Sequence, residues 1–173
     1  MTLFGGHNAV FSADRAYRYL LVRSWDITRP TLCMVMLNPS TADETQNDPT
    51  VERCVRRAMS MGMGELRVVN LFAVRSTDPK LLYSHHAPVG DINDLHICRA
   101  ASLSAIVICA WGTHGSHLGR GPSVAAMLRA EFPRKLYVLK LNADGSPKHP
   151  LYVGYAQSPV PWCSTPESLE IQK

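Results

Sequence analysis

The sequence predicts an α/β domain, a three-layer α/β/α sandwich around a central, mostly parallel sheet of about four strands. Three observations carry that expectation. Four short runs, at residues 32–37, 66–70, 105–111 and 136–141, are apolar over consecutive positions rather than alternating, interrupted only by Arg67, Asn70 and Lys140, as in strands buried on both faces. Segments with helical spacing lie between them. A strand–helix alternation of this kind pairs strands in parallel through right-handed crossovers and puts their carboxyl ends on one rim.

Composition narrows the class. A chain of 173 residues, 46% hydrophobic and 18% charged, is globular and long enough for a single domain over 1–173. The core is expected over 17–152, with a tail at 158–173. No apolar run approaches the ~18–20 residues that span a bilayer, so no membrane is expected. The start, MTLFGGHNAV, has neither the basic nor the long apolar region of a signal peptide. The five cysteines, Cys33, Cys54, Cys98, Cys109 and Cys163, are scattered and form no C-x-x-C pair. They read as reduced residues of a cytoplasmic protein. The net charge of +4 fits a polyanionic partner, without any long basic run.

In order, residues 1–15 read as a loose lead-in. Residues 17–25 are rich in aromatic and branched side chains and read as a strand. A turn at 26–30 leads into the run 31–37, and a hairpin-like pairing of the two is expected. Asn38-Pro39 stops the second strand, because Pro39 lacks an N–H and biases Asn38 away from the helical region. A polar loop follows, with Asn38, Ser40, Thr41, Asp43, Asp48 and Thr50. Asp48 is placed to cap a helix that opens with Pro49. Val51, Val55, Ala58 and Met59 fall on one face of it. Gly62 to Gly64 suit its end.

The run 66–70 and the following LFAV form the next strand. Residues 76–90 read as a long loop. Asp91 is expected to cap a helix to about Ser104, with Ile92, Leu95 and Cys98 inward. The run 105–111 is the third core strand, followed by a glycine- and histidine-bearing loop over 112–121. Pro122 opens a helix with Val124, Met127, Leu128 and Phe132 in register, and Pro133 stops it. The run 136–141 is the fourth strand. Residues 142–150 are turn chemistry, and the proline-bearing tail hugs the surface.

The carboxyl-end rim then collects polar residues. Asn38-Pro39-Ser40 follow the first core strand. Asn70 ends the second, with Arg75 just beyond. Trp111, Gly112 and His114 follow the third, and Lys148-His149-Pro150-Leu151-Tyr152 follow the fourth. Singly, Asn70 also reads as a turn amide, Trp111 as core and His149 as a turn terminator. Their joint placement favours a site. Asp43 reads as a general base, a metal ligand or a loop cap, with the cap favoured. The histidines at 85, 86, 96, 114 and 117 do not show the convergence a metal needs, and no metal or cofactor is expected. Arg53, Arg56 and Arg57 read as a phosphate-tracking row or a solvated helix face.

These stretches resemble the uracil-DNA glycosylase superfamily in four ordered places over about 31–152. Leu37-Asn38-Pro39-Ser40 is similar to its first motif. The stretch from Val69 to Arg75 is similar to the strand whose Asn reads the base edge. Ala110-Trp111-Gly112 is similar to the end of its third strand, and His149-Pro150 to its second motif. NPSTAD, DPT and HPLY resemble more closely a bacterial domain family of unknown function. The superfamily resemblance implies a glycosylase-like fold and a base-excision-type hydrolase of DNA repair. Asn38 and His149 are then catalytic candidates, and Asp43, which the superfamily's mechanism does not need, is a third as a general base. Asn38 aims water, and His149 stabilises the departing base. Asn70, Trp111, Ser40, Arg75, Leu151 and Tyr152 are candidates to bind substrate. Arg53, Arg120 and Lys148 are candidates to contact nucleic acid. The partner is DNA, with the target base flipped out, or another nucleobase-containing ligand. No obligate protein partner is inferred. A non-catalytic nucleobase reader and a hydrolase of a free modified nucleotide are the alternatives. The chain departs from the superfamily at Met36, where glycine is common, at Ser40, at Leu151-Tyr152 in place of the usual Ser after His-Pro, and in lacking a four-cysteine iron–sulfur set.

Overall fold

The chain departs from its expected strand count at both edges of the sheet. The computed structural model describes residues 6–162, so Cys163, Pro166 and the rest of the tail beyond Trp162 lie outside the described residues. The strands are β1 (His7–Phe11), β2 (Arg18–Ser24), β3 (Thr31–Met36), β4 (Glu65–Asn70), β5 (Ile106–Cys109), β6 (Leu136–Val138) and β7 (Val160–Pro161). The helices are α1 (Pro49–Ser60), α2 (Pro79–Ser84), α3 (Asn93–Ser102) and α4 (Arg120–Glu131), with 3-10 turns at Thr113–Gly119 and Pro150–Tyr152. The fold is mixed α/β, with one seven-stranded sheet in the order β1-β2-β4-β3-β5-β6-β7. The four expected strands are its centre: β4, β3, β5 and β6 pair in parallel. The expected count of about four is corrected to seven by antiparallel additions, β1 and β2 beside β4 and β7 beside β6. The missed strands carry weak signals. β1 is exposed or half-buried throughout, and β7 is two exposed residues.

The expected pairing of β2 with β3 is also corrected, because β4 lies between them. β3 is buried from Leu32 to Met36 and has both edges occupied, by β4 and β5. The turn after β2 wraps the start of β4 instead. Trp25 and Asp26 donate their N–H groups to the Gly64 carbonyl at 2.9 and 3.0 Å, and Gly64 donates to the Pro30 carbonyl at 2.8 Å. A Cβ on Gly64 would lie 1.8 Å from the Asp26 oxygen, so this crossing requires glycine.

Alternate residues of the parallel strands feed two cores. Cys33, Val35, Val69, Val107 and Cys109 pack with Ile97, Ala100, Val124 and Leu128 of α3 and α4. Leu32, Met34, Leu66, Val68 and Ile108 pack with Val51, Cys54 and Ala58 of α1. Fully burying a valine such as Val51 contributes about 1.5–3 kcal/mol. The Asp48 cap of α1 is present as the sequence indicates, whereas Met59 turns outward. In α3 the expected face is corrected: Ile92 and Leu95 are 46% and 66% exposed, while Asn93, Ile97, Ala100 and Ala101 are buried. The cause is Asn93, whose Nδ2 donates to the Asn70 and Leu71 carbonyls at 2.9 and 3.1 Å and fixes the rotation of α3 on the sheet. α4 begins at Arg120, ahead of Pro122, and β6 ends at Val138, short of Leu141. Residues 71–74 lie beyond β4 and stay buried, with Val74 bridging antiparallel to Tyr17.

Burial pushes the Cys33 and Cys54 thiols up to about 12, which keeps them un-ionised. No helix among the described residues is long and apolar enough to cross a membrane.

Candidate functional site

A cleft of about 550 Å³ opens at the carboxyl ends of the parallel strands. It brings together eight residues expected at that rim: Asn38, Ser40, Trp111, Gly112, His114, His149, Leu151 and Tyr152. His114 Nδ1 lies 2.7 Å from the Tyr83 hydroxyl.

Asn38 sits where β3 ends. Its Nδ2 donates to the Ser76 and Pro39 carbonyls at 2.9 and 3.1 Å. The amide group is thereby pinned, and Oδ1 is left as the acceptor for a ligand or water. His149 caps the 3-10 turn Pro150–Tyr152, with Nδ1 accepting the Leu151 N–H at 3.4 Å. Burial lowers its pKa from the ordinary 6.5, against an opposing pull from Asp48. The imidazole is therefore neutral at pH 7, and the acceptor role of Nδ1 places its proton on Nε2. A neutral donor of this kind suits charge that develops only during a reaction. Gly112, with φ 77°, passes close enough that an added Cβ would lie 3.8 Å from the His149 Cβ. Only glycine holds that backbone at low cost.

Two charged groups line the cleft from outside the expected rim. Asp48 is buried beside the cleft, its Oδ1 accepting the Val51 N–H at 2.8 Å as the cap of α1. The DPT stretch signals the cap but not that the carboxylate also faces a cleft. Arg18 lines the cleft from β2 while only 1% exposed. Its signal is a charged residue inside an otherwise aromatic and aliphatic strand, YRYLLV. Thr50, Ser76 and Asn142 add polar groups to the same walls.

The remaining candidates lie elsewhere. Asn70 is 1% exposed and off the cleft wall; its register partner Met36 lines the cleft instead. Both Oδ1 and Nδ2 of Asn70 are buried without a partner among the described residues. Asp43 closes a turn off the cleft, accepting from the Gln46 and Thr45 N–H groups at 2.8 and 2.9 Å, bonds that hold its pKa below the ordinary carboxylate value. Arg75 lies over the Phe11 ring, 4.9 Å from its centroid. Arg53 donates to the Pro150 and Val153 carbonyls at 2.9 and 2.8 Å, buttressing the turn that carries His149. Arg120 donates to the Leu71 carbonyl at 2.9 Å and pairs with Asp94. Lys148 is half-buried beside the cleft residues but not on their wall. Among the described residues no group of three or more His, Cys, Asp or Glu side chains is placed to hold a metal ion.

No curated protein and no solved structure matches the chain. The likeness to the uracil-DNA glycosylases therefore stays a resemblance of motifs. A family described as "Protein of unknown function (DUF1643)" matches residues 18–151, the span from β2 through the cleft to the His149 turn, and the chain belongs to that family.

Proposed function

We propose that the chain is a nucleobase-processing hydrolase on a three-layer, uracil-DNA glycosylase-like scaffold, and that it breaks an N-glycosidic bond with the base seated in the cleft. The observation that supports this reading best is the pairing, in one cleft, of a pinned Asn38 with a neutral, donor-bearing His149. About 550 Å³ also suits a ligand of nucleotide size. In the proposed reaction the C1′–N bond breaks with its electron pair leaving on the base. His149 Nε2–H stabilises the negative charge on a base oxygen. A water oriented by Asn38 Oδ1 bonds C1′, its proton passes to the Asp48 carboxylate, and the released base takes up a proton.

One observation favours the free-nucleotide form of this reading over the DNA form. A duplex reader neutralises phosphates with free cationic side chains. Two of the three candidates for that contact, Arg53 and Arg120, instead direct their guanidinium groups at carbonyls and a carboxylate of their own chain.

The test is release of free base from a panel of nucleosides, nucleotides and modified-base oligonucleotides, followed by chromatography. Asn38→Ala is expected to lose release while keeping ligand affinity, because orienting water matters mainly in the transition state. His149→Ala is expected to slow release roughly tenfold to a thousandfold. A wild-type chain that binds members of the panel and releases no base is a reader, and the hydrolase proposal fails.

A further inference from the structure

We propose that Arg18 anchors a phosphate monoester, so that the molecule bound in the cleft is a mononucleotide-type ligand rather than a length of nucleic-acid backbone. This rests on the proposed function for the base and its bond, but not for the anion.

The sheet is built to aim Arg18 at the cleft. β1 and β2 pair regularly from His7↔Arg23 to Val10↔Leu20, and then Phe11 pairs with Arg18. Tyr19 is the extra residue of a β-bulge. With regular alternation Arg18 would share the face of Leu20, which packs against the α3 and α4 core. The bulge turns it to the opposite face, where Nη1 donates to the Ala42 carbonyl at 2.8 Å beside the α1 core. Bulges commonly re-aim a side chain in this way.

Once there, the guanidinium is under-used. It is 1% exposed, Nε has no partner, and no carboxylate lies within ion-pair distance among the described residues. Asp48 attracts it from a distance, while Arg23 and Arg75 repel it. A buried charge without a hydrogen-bonded counter-ion costs several kcal/mol. An oxyanion entering the cleft removes that cost. Carboxylate and phosphate both fit a guanidinium fork. Ser40, Thr50 and Thr77 on the same walls add hydroxyl donors, which a phosphate with several free oxygens can use beyond the fork. The depth of Arg18 selects the monoester. A phosphodiester must leave the site in two directions, whereas a monoester ends there.

Calorimetric titration of the full chain tests this with ribose, ribose 5-phosphate, inorganic phosphate and a dinucleotide whose only phosphate is internal. Wild type is expected to bind ribose 5-phosphate at least about tenfold tighter than ribose, with inorganic phosphate competing and the dinucleotide no better than ribose. Arg18→Met is expected to abolish the phosphate preference without lowering Tm, and Arg18→Lys to keep part of it. Equal binding of ribose and ribose 5-phosphate by wild type overturns the proposal, as does a preference for the dinucleotide. An Arg18→Met chain that keeps the phosphate preference also overturns it. Should Arg18→Met fail to fold, Arg18→Lys and competition by inorganic phosphate on wild type decide the matter. No base is released in these titrations, so a failed hydrolase assay leaves this result standing. Loss of the phosphate preference likewise leaves any base release from plain nucleosides intact.

Discussion

Arg18 and Arg23 lie on the same strand, and each is 1% exposed, yet the two ends of β2 treat them differently. Every nitrogen of the Arg23 guanidinium has work inside the chain. Nε donates to Asn47 Oδ1 at 2.8 Å, Nη1 to the Val22 carbonyl at 3.0 Å, and Nη2 to the Asp43 and Gln46 carbonyls. It is a strut. It ties down the loop that has Asn38 at one end and Asp48 at the other, and so fixes two cleft residues without touching the cleft. Arg18 has one carbonyl and an unpartnered Nε. Equal burial therefore says little about the role of a buried arginine. What separates a structural cation from one facing a ligand is whether the protein itself satisfies its donors.

The largest expected effect tests that contrast directly. Arg23→Met strips the Asp43 carbonyl of its partner, leaves the Gln46 carbonyl with the Asp43 N–H alone, and frees the loop. The cost is expected to be ~3 kcal/mol, because an acceptor left without a partner loses about 1–3 kcal/mol and each further bond lost about 0.5–1.5 kcal/mol. For a chain of this size that lowers Tm by roughly 6–12 °C. Arg18→Met removes a poorly paired buried charge and fills the space with apolar atoms. Its Tm is expected to hold or rise. Urea unfolding of both variants without ligand is the measurement. If Arg18→Met costs as much as Arg23→Met, Arg18 is a second strut and the contrast collapses.

The next effect separates the two aspartates of the same loop. Asparagine caps helices about as well as aspartate, so Asp48→Asn is expected to leave α1 standing. If the Asp48 carboxylate takes the proton of the attacking water, base release falls on the order of a hundredfold or more. Asp43→Asn keeps an acceptor for the Thr45 and Gln46 N–H groups and lies off the cleft. Base release is expected to stay unchanged. Equal losses in the two variants would mean that the loop acts as a unit, not through one carboxylate.

The limits of the sequence follow from the same residues. Asn38, Trp111 and His149 were legible because a continuous apolar run with a hard stop marks both a buried strand and its carboxyl end. Local chemistry then says what stands there. Asp48 was legible only as a cap, since Asp-Pro-Thr signals a helix start whichever way the carboxylate also faces. Arg18 was not legible as a cleft residue. Its direction depends on a bulge against β1, and β1 is a half-exposed strand without a clear pattern. Asn70 was placed correctly along the chain, at the end of its strand, but the cleft wall there is made by Met36. The rotation of α3 followed Asn93, a polar residue that apolar spacing disregards.

The smallest effect compares the two faces of the sheet through their histidines. His149 stands at the cleft on the side of Asp48, and His96 of α3 stacks on Tyr19 at 5.3 Å on the other side. Burial lowers both pKa values from the ordinary 6.5, with Arg99 adding to the effect at His96 and Asp48 opposing it at His149. Well above pH 6.5 both histidines are neutral in the folded and unfolded chains and contribute no slope. As pH falls through 6.5 the unfolded chain takes up protons first, so the folded chain loses stability. The loss is complete once pH passes the lowered folded values. The carboxylates with lowered pKa, such as Asp43 and Glu52, titrate below their ordinary 3.8 and 4.5, in a separate window. Urea midpoints between about pH 8 and pH 5 are therefore expected to decline in wild type, with a smaller decline in His149→Gln and in His96→Gln. The double variant should be the flattest. Base release distinguishes the faces: its pH profile is expected to change in His149→Gln and to stay as in wild type in His96→Gln. A His149→Gln chain with an unchanged stability slope would mean that the cleft wall keeps that imidazole in contact with water, which removes the basis for a neutral donor there.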